Sequence, residues 1–98
     1  MRVRFTETAL AELGDIFSYI ARHSTTRWPQ VVARVEESAA KLGRFPQMGT
    51  PKYKPGVRMT PLRRYPFLIF YTVESDEVLI LSVRHAARKR PEEDDELK

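Results

Sequence analysis

The 98-residue chain contains no cysteine and only two histidines. The lack of thiols excludes disulfides, thiolate metal ligands and cysteine nucleophiles. Two isolated histidines give little support for a metal site, and we expect neither a metal nor a cofactor. No run approaches the roughly 20 apolar residues of a membrane span, and the first residues lack the apolar stretch of a signal peptide. These absences predict a soluble, cytoplasmic protein that does not bind a membrane.

The net charge of +4 is distributed unevenly. Residues 44–91 contain ten Lys/Arg against three Asp/Glu, a net of +7, whereas residues 1–43 carry a net of +1. Residues 92–98 contain five acidic residues against one lysine, a net of −4. The basic segment predicts a polyanionic or acidic partner. One alternative is a solvated basic surface without a partner. Another is that the arginines pair with Glu74, Asp76, Glu77 or the acidic tail.

A short strand at residues 3–5 precedes two predicted amphipathic helices. Thr6 can cap the first helix, which is predicted to end near His23. The apolar stripe of this helix has helical spacing and comprises Leu10, Leu13, Phe17 and Ile20. Thr25 or Thr26 can cap the second helix, which has Pro29 in its first turn and is predicted to end at Gly43. Its stripe comprises Val31, Val35, Ala39 and Leu42. The short link predicts an antiparallel helical hairpin.

The second half of the chain has the pattern of a small sheet. Residues 45–56 contain three prolines and two glycines and are predicted to form a loop. Strands are predicted at 57–60, 65–73 and 78–83, with a turn at Leu62-Arg63-Arg64. The 65–73 strand is apolar on both faces, which indicates a central strand. The predicted class is therefore α+β in the order β-α-α-β-β-β, with a helical hairpin on a small, mainly antiparallel sheet.

The last strand ends in a basic segment. Side chains alternate along a strand, so one face is predicted to carry Val78, Ile80, Ser82 and Arg84, and the other Leu79, Leu81, Val83 and His85. We expect the all-apolar set to meet the helices, which leaves Ser82 and Arg84 on the freer face. Arg58 of the preceding strands is predicted to join them. The result would be a basic cleft of Arg58, Arg84 and Arg88.

This cleft suits a phosphate or a carboxylate, because arginine presents a planar fork of donors to either group. His85 has a reference pKa near neutrality and is a candidate general acid or base. The alternative is a hydrogen-bonded histidine at the end of a strand. No serine or carboxylate beside His85 in the sequence completes a catalytic triad.

Five stretches in order resemble the RelE/ParE superfamily of bacterial toxins, and the ParE branch most. They are FTETALAELGDIFSYIARHS, FPQMG, GVR, RRYPFLIFYTV and ILSVRHAARKRP. The resemblance covers residues 2–91 and agrees with the β-α-α-β-β-β order. It implies a single toxin domain over residues 1–91. The block of negative charge at residues 92–98 predicts an acidic, disordered tail.

The resemblance implies a toxin of a type II toxin–antitoxin system. A cognate antitoxin, commonly with a ribbon-helix-helix domain as in ParD, would neutralise it in a hetero-oligomer. ParE-type toxins inhibit DNA gyrase and block replication, whereas RelE-type toxins cut messenger RNA on the ribosome.

The middle strand favours the ParE interpretation, because the RelE branch carries a basic residue there and this sequence has only apolar residues at 67–70. A non-enzymatic gyrase inhibitor is therefore expected, with Arg58, Arg84, His85 and Arg88 contacting the target. The alternative is a ribosome-dependent endoribonuclease with His85, Arg84 and Arg58 as catalytic residues. A third possibility is a non-toxic remnant that acts only within a toxin–antitoxin complex.

Overall fold

The structure is a computed structural model that describes residues 1–23, 27–52 and 54–86. Its elements are β1 (Arg2–Phe5), α1 (Glu7–His23), α2 (Trp28–Arg44), β2 (Thr50–Pro51), β3 (Val57–Pro61), β4 (Phe67–Val73) and β5 (Glu77–His85). This order confirms the predicted α+β class with its helical hairpin and meander. The sequence did not reveal β2, a two-residue edge strand that contains a proline.

The five strands form one mixed sheet in the order β1-β5-β4-β3-β2. β1 runs parallel to β5, and the other neighbouring pairs are antiparallel. β4 is the central strand, as its apolar sequence predicts. β2 lies at the edge, where the missing N–H of Pro51 interrupts no inner ladder.

The main core lies between the two helices and one face of the sheet. Its buried residues are Ala9, Leu13, Val31, Val35, Leu42, Leu62, Ile69, Tyr71, Val78, Ile80 and Val83. The predicted stripe of α2 is confirmed. In α1 the assignment of Leu10 to the buried stripe was wrong, because Leu10 is 55% exposed whereas Ala9 is fully buried. Ala9 lies one turn before Leu13, whereas Leu10 is rotated by about 100° from Ala9.

The ends of the helices agree closely with the sequence. Thr6 Oγ1 accepts a hydrogen bond from the backbone N–H of Ala9 at 3.1 Å, which confirms the predicted cap. The same hydroxyl donates to the carbonyl of Leu81 at 3.1 Å and so ties the start of α1 to β5. Pro29 lies in the first turn of α2. The predicted caps Thr25 and Thr26 lie outside the described residues, and α2 extends one residue past Gly43.

A second, smaller apolar cluster lies on the opposite face of the sheet. Val57 and Phe70 are buried there, with Met59, Leu68 and Leu81 packed against them. β4 supplies both clusters because its side chains alternate, so Ile69 and Tyr71 face the helices while Leu68 and Phe70 face away.

A β-bulge in β5 breaks the strict alternation. Phe70 pairs with Ser82 but Tyr71 pairs with Ile80, so Leu81 is an additional residue. Val78 and Ile80 before the bulge belong to the helix-side cluster, and Val83 after it does as well. The prediction that Leu79, Leu81 and Val83 together meet the helices was therefore wrong, since a bulge shifts the facing of the residues beyond it.

Candidate functional site

The last residues of β5 are held against the start of β4. Arg84 pairs with Leu68 and His85 with Phe67, and the backbone N–H of Ala86 donates to the carbonyl of Pro66 at 2.7 Å. Cross-strand partners share a face, so Arg84 lies with Leu68 on the face away from the helices, as predicted. Its side chain is only 10% exposed.

Arg84 is oriented by a small polar network. Its Nε donates to Ser82 Oγ at 2.9 Å, and Ser82 Oγ donates to Glu12 Oε1 at 2.8 Å. Arg84 Nε also lies 3.9 Å from Glu12 Oε2. Ser82 itself is fully buried. The guanidinium is therefore positioned by a helix and a strand that are far apart in sequence.

Glu12 also completes the edge of β5. β1 accompanies β5 only as far as the pair Phe5–Ile80. Beyond it, Glu12 Oε1 accepts the backbone N–H of Val83 at 2.9 Å. The carboxylate of α1 thus provides the acceptor that a longer β1 would have provided, and the strand that carries Arg84 remains ordered.

Sequence reasoning missed Glu12. The signal was its spacing: Glu12 lies three residues after Ala9 and four before Ile16, both on the core side of α1. A carboxylate inside an apolar stripe needs a partner, but neither Ser82 nor Val83 could have been named from spacing alone.

His85 occupies the face opposite to Arg84. Its ring meets Phe67 edge-on, with centroids 5.5 Å apart and an interplanar angle of 86°. Phe67 packs against the helix-side core. Adjacent residues of β5 thus point in opposite directions, and the strand does not present Arg84 and His85 to a common point.

Arg58 anchors a loop. Its Nη1 donates to the carbonyls of Gly49 at 2.6 Å and Gln47 at 3.2 Å. Its cross-strand partner Tyr71 holds the same loop, because Tyr71 Oη accepts the N–H of Gly49 at 2.8 Å and donates to the carbonyl of Pro46 at 2.9 Å. Burial raises the pKa of Tyr71 above its ordinary value.

The predicted cleft of Arg58, Arg84 and Arg88 was therefore wrong in its geometry. Arg58 is opposite Tyr71 on the helix side of the sheet, whereas Arg84 is opposite Leu68 on the other side. The sequence could not show this, because the faces of separate strands are related only through their register. Arg88 and the acidic tail lie outside the described residues.

The predicted alternative was that arginines of the cleft pair with acidic residues of the β4–β5 turn. Glu77, one of these acidic residues, pairs instead with Arg4. Arg4 Nη2 lies 2.8 Å from Glu77 Oε1 at the start of β5, far along the strand from Arg84. This hydrogen bond holds the pKa of Glu77 below its ordinary value and raises the pKa of Arg4.

Two further properties concern only the described part of the chain. Its His, Asp and Glu residues form no group of three or more that could hold a metal ion. None of its helices combines the length and the apolar character that crossing a membrane requires.

Residues 3–90 match the family described as "ParE toxin of type II toxin-antitoxin system, parDE". The chain belongs to this family. A curated relative, "Putative toxin Y4kP" of Sinorhizobium fredii, is 33% identical over 91 residues, which are 93% of this chain and 94% of the relative. The predicted membership of the RelE/ParE superfamily is confirmed.

Solved structures of toxin–antitoxin systems share the fold. The chromosomal ParDE system of P. aeruginosa gives a TM-score of 0.76 at 26% identity, over 87% of this chain and 95% of that one. The RelBE2 complex of Mycobacterium tuberculosis gives 0.60 at 28% identity, over 86% and 95%. The isolated E. coli RelE toxin gives 0.62 at 20% identity, over 94% and 90%, and at that identity indicates the fold alone.

Proposed function

We propose that this toxin inhibits DNA gyrase and thereby blocks replication, acting by binding and not by catalysis. The observation that carries the proposal is the separation of the three candidate catalytic side chains. Arg58 and Arg84 lie on opposite faces of the sheet, and His85 faces away from Arg84. The match of residues 3–90 to the ParE family supports the same target.

A nuclease needs a different arrangement. Cleavage of RNA requires an acid, a base and cationic donors that converge on one phosphate. Here Arg58 is bonded to the carbonyls of Gly49 and Gln47, and His85 packs edge-on against Phe67. β4 adds no charged residue, since its sequence is FLIFYTV. A target-binding surface does not require convergence of this kind.

The target surface that we propose lies at the end of β5. Arg84 contacts gyrase from the face away from the helices, and His85 contacts it from the opposite face at the same end of the strand. Arg88, which follows in the sequence, is the fourth proposed contact. Arg58 acts indirectly, because it holds the Pro46–Gly49 loop against the sheet. The network of Glu12 and Ser82 limits the conformations of Arg84 and so lowers the entropy lost on binding.

An antitoxin partner is the second part of the proposal. The ParDE and RelBE2 neighbours are toxin–antitoxin systems. We propose a ParD-like antitoxin with a ribbon-helix-helix domain, and a complex in the cytoplasm, where gyrase acts. An apolar and acidic segment of the antitoxin suits this basic chain, whose described residues expose six large apolar side chains. They are Met1, Leu10, Tyr19, Trp28, Phe45 and Met48.

Expression in bacteria without an antitoxin separates the three candidate functions. Gyrase inhibition predicts that incorporation of labelled thymidine stops first, while the 5′ ends of transcripts stay unchanged. New 5′ ends within coding regions would instead identify a RelE-like endoribonuclease. Normal growth at a high level of folded protein would identify a non-toxic remnant and would contradict the proposal.

A further inference from the structure

The β3–β4 turn has an unusual backbone. The N–H of Tyr65 donates to the carbonyl of Leu62 at 3.1 Å, and Arg64 at the third position has a φ of 74°. This is the geometry of a type II turn, whose third position favours glycine because a Cβ is crowded there. An arginine at a left-handed position indicates a functional role for its side chain, because the backbone strain would be absent with glycine.

The turn is held rigidly from both sides. Leu62 is 2% exposed in the core, and its N–H donates to the carbonyl of Phe67 at 2.8 Å. Arg63 and Arg64 between these anchors are exposed. Neither of them forms an ion pair with another residue in the part of the chain that the structure describes. The turn therefore presents two adjacent guanidinium groups to solvent on an ordered backbone.

The turn lies beside the end of β5. The hydrogen bond from Ala86 to the carbonyl of Pro66 joins the two segments directly. Arg84 is paired with Leu68 in the same region. Three arginines of the described residues, Arg63, Arg64 and Arg84, therefore lie at this end of the sheet.

The polar surface at this end of the sheet favours a nucleic acid over a protein as the partner. The exposed large apolar side chains among the described residues all precede residue 49, and none lies on β3, β4, β5 or their turns. The centre of a protein–protein interface is enriched in aromatic residues and methionine. Interfaces with nucleic acids are instead more polar and strongly positive.

We propose that Arg63 and Arg64 of the β3–β4 turn bind the phosphodiester backbone of double-stranded DNA. Exposed guanidinium groups bind phosphate oxygens, and contacts of this kind carry no information on the base sequence. This inference goes beyond gyrase inhibition, because it concerns contact between the toxin and DNA in the absence of gyrase.

The test is fluorescence anisotropy of the purified full-length chain with a labelled 20-base-pair duplex of arbitrary sequence, over a series of salt concentrations. The double variant Arg63→Gln/Arg64→Gln should lower the affinity at low salt by about tenfold or more. It should also reduce the slope of log K against log salt by about 0.9 for each lost phosphate contact.

A matched control removes the same charge from the opposite end of the sheet. Lys41 and Arg44 are exposed in the last turn of α2. That turn adjoins the start of β1 and β5, because the N-terminal ammonium of Met1 donates to the carbonyl of Gly43 at 2.8 Å and Arg2 pairs with Glu77. Lys41→Gln/Arg44→Gln should leave the slope nearly unchanged.

Arg64→Gly separates binding from folding. Glycine fits the left-handed position, so this variant should unfold at the same or a higher urea concentration while its DNA affinity falls. An equal loss in both double variants would overturn the proposal, since it would indicate a diffuse charge effect. Tighter binding to a 20-nucleotide RNA, or no effect of Arg63→Gln/Arg64→Gln on DNA binding, would overturn it as well. The binding experiment contains no gyrase, so failure of DNA binding and failure of gyrase inhibition can be distinguished.

Discussion

Glu12 Oε1 accepts the backbone N–H of Val83 at 2.9 Å, across a sequence separation of 71 residues. The same oxygen accepts the hydroxyl of Ser82 at 2.8 Å. One helical carboxylate thus closes the edge of β5 and orients Ser82, whose hydroxyl oxygen accepts a hydrogen bond from Arg84. The carboxylate of Glu12 therefore links α1 to the end of β5, where we propose that the target binds.

Removal of this carboxylate should destabilise the protein. Glu12→Ala leaves the N–H of Val83 and the hydroxyl of Ser82 without their acceptor, and we expect a loss of about 2–4 kcal/mol in the free energy of unfolding. Glu12→Gln keeps one acceptor oxygen and should cost about half as much. Urea unfolding of the three proteins measures the difference. Equal stability of Glu12→Ala and the unchanged chain would show that the network is not formed.

Tyr71→Phe tests the attachment of the loop at residues 46–49. The variant loses one accepted and one donated hydrogen bond but keeps the buried ring, so we expect a loss of about 2 kcal/mol. Chemical denaturation gives the value. Tyr65→Phe is the matched control, because Tyr65 is only partly buried, and it should change stability by less than about 0.5 kcal/mol.

The raised pKa of Tyr71 predicts a dependence on high pH. Because the folded-state pKa exceeds that of the unfolded chain, near 10, the contribution of Tyr71 to stability is complete below pH 10. Above that pH the unfolded state ionises first, so the free energy of unfolding should fall as pH rises. The decline should be shallower in Tyr71→Phe. Parallel curves for the two proteins between pH 9 and 11 would contradict the assignment.

Two glycines should respond in opposite ways to alanine. At Gly49 a Cβ would overlap Tyr71 Oη and lie 2.8 Å from Tyr71 Cε1, so Gly49→Ala should cost about 1–3 kcal/mol. At Gly14 in α1 a Cβ would meet no atom within 4 Å. Gly14→Ala should therefore stabilise the helix by about 0.5–1 kcal/mol. Thermal unfolding of both variants provides the measurement, and destabilisation by Gly14→Ala would contradict the packing of α1.

Arg84→Gln is the sharpest substitution for toxicity. Glutamine can still donate to Ser82 Oγ but carries no charge. Arg84→Glu would place a second carboxylate near Glu12, so a loss of toxicity could come from lower stability as well as from weaker binding. We expect growth inhibition to require about tenfold more protein, equivalent to about 1.4 kcal/mol of binding. Lys41→Gln is the control for net charge. Full toxicity of a folded Arg84→Gln protein would exclude Arg84 from the target surface.

Much of the fold could be predicted from the sequence. The Thr6 cap, the stripe of α2 and the apolar run of β4 are local signals, because each depends on residues within a few turns or one strand. β1 as the parallel neighbour of β5 was not specified, since pairing between distant segments leaves no short-range pattern. The assignment of Leu10 to the core was wrong because both Ala9 and Leu10 lie about one turn before Leu13, and spacing alone does not show which of the two is buried.

The site was harder to predict because it depends on register and on a bulge. Arg58 and Arg84 were both identified as basic strand residues, yet only the pairing with Tyr71 and Leu68 separates their faces. The additional residue Leu81 changes the facing within β5, and no proline or glycine marks it in the sequence. The contact of Glu12 with Val83 bridges 71 residues and is a tertiary property.

The most direct test of the central claim is a supercoiling assay with purified gyrase, relaxed plasmid, ATP and the full-length chain. The proposed function predicts loss of supercoiled product together with accumulation of linear, cleaved plasmid, and a smaller effect of Arg84→Gln than of the unchanged chain. Unimpaired supercoiling by gyrase, at concentrations of a folded protein that stop growth when expressed, would contradict it.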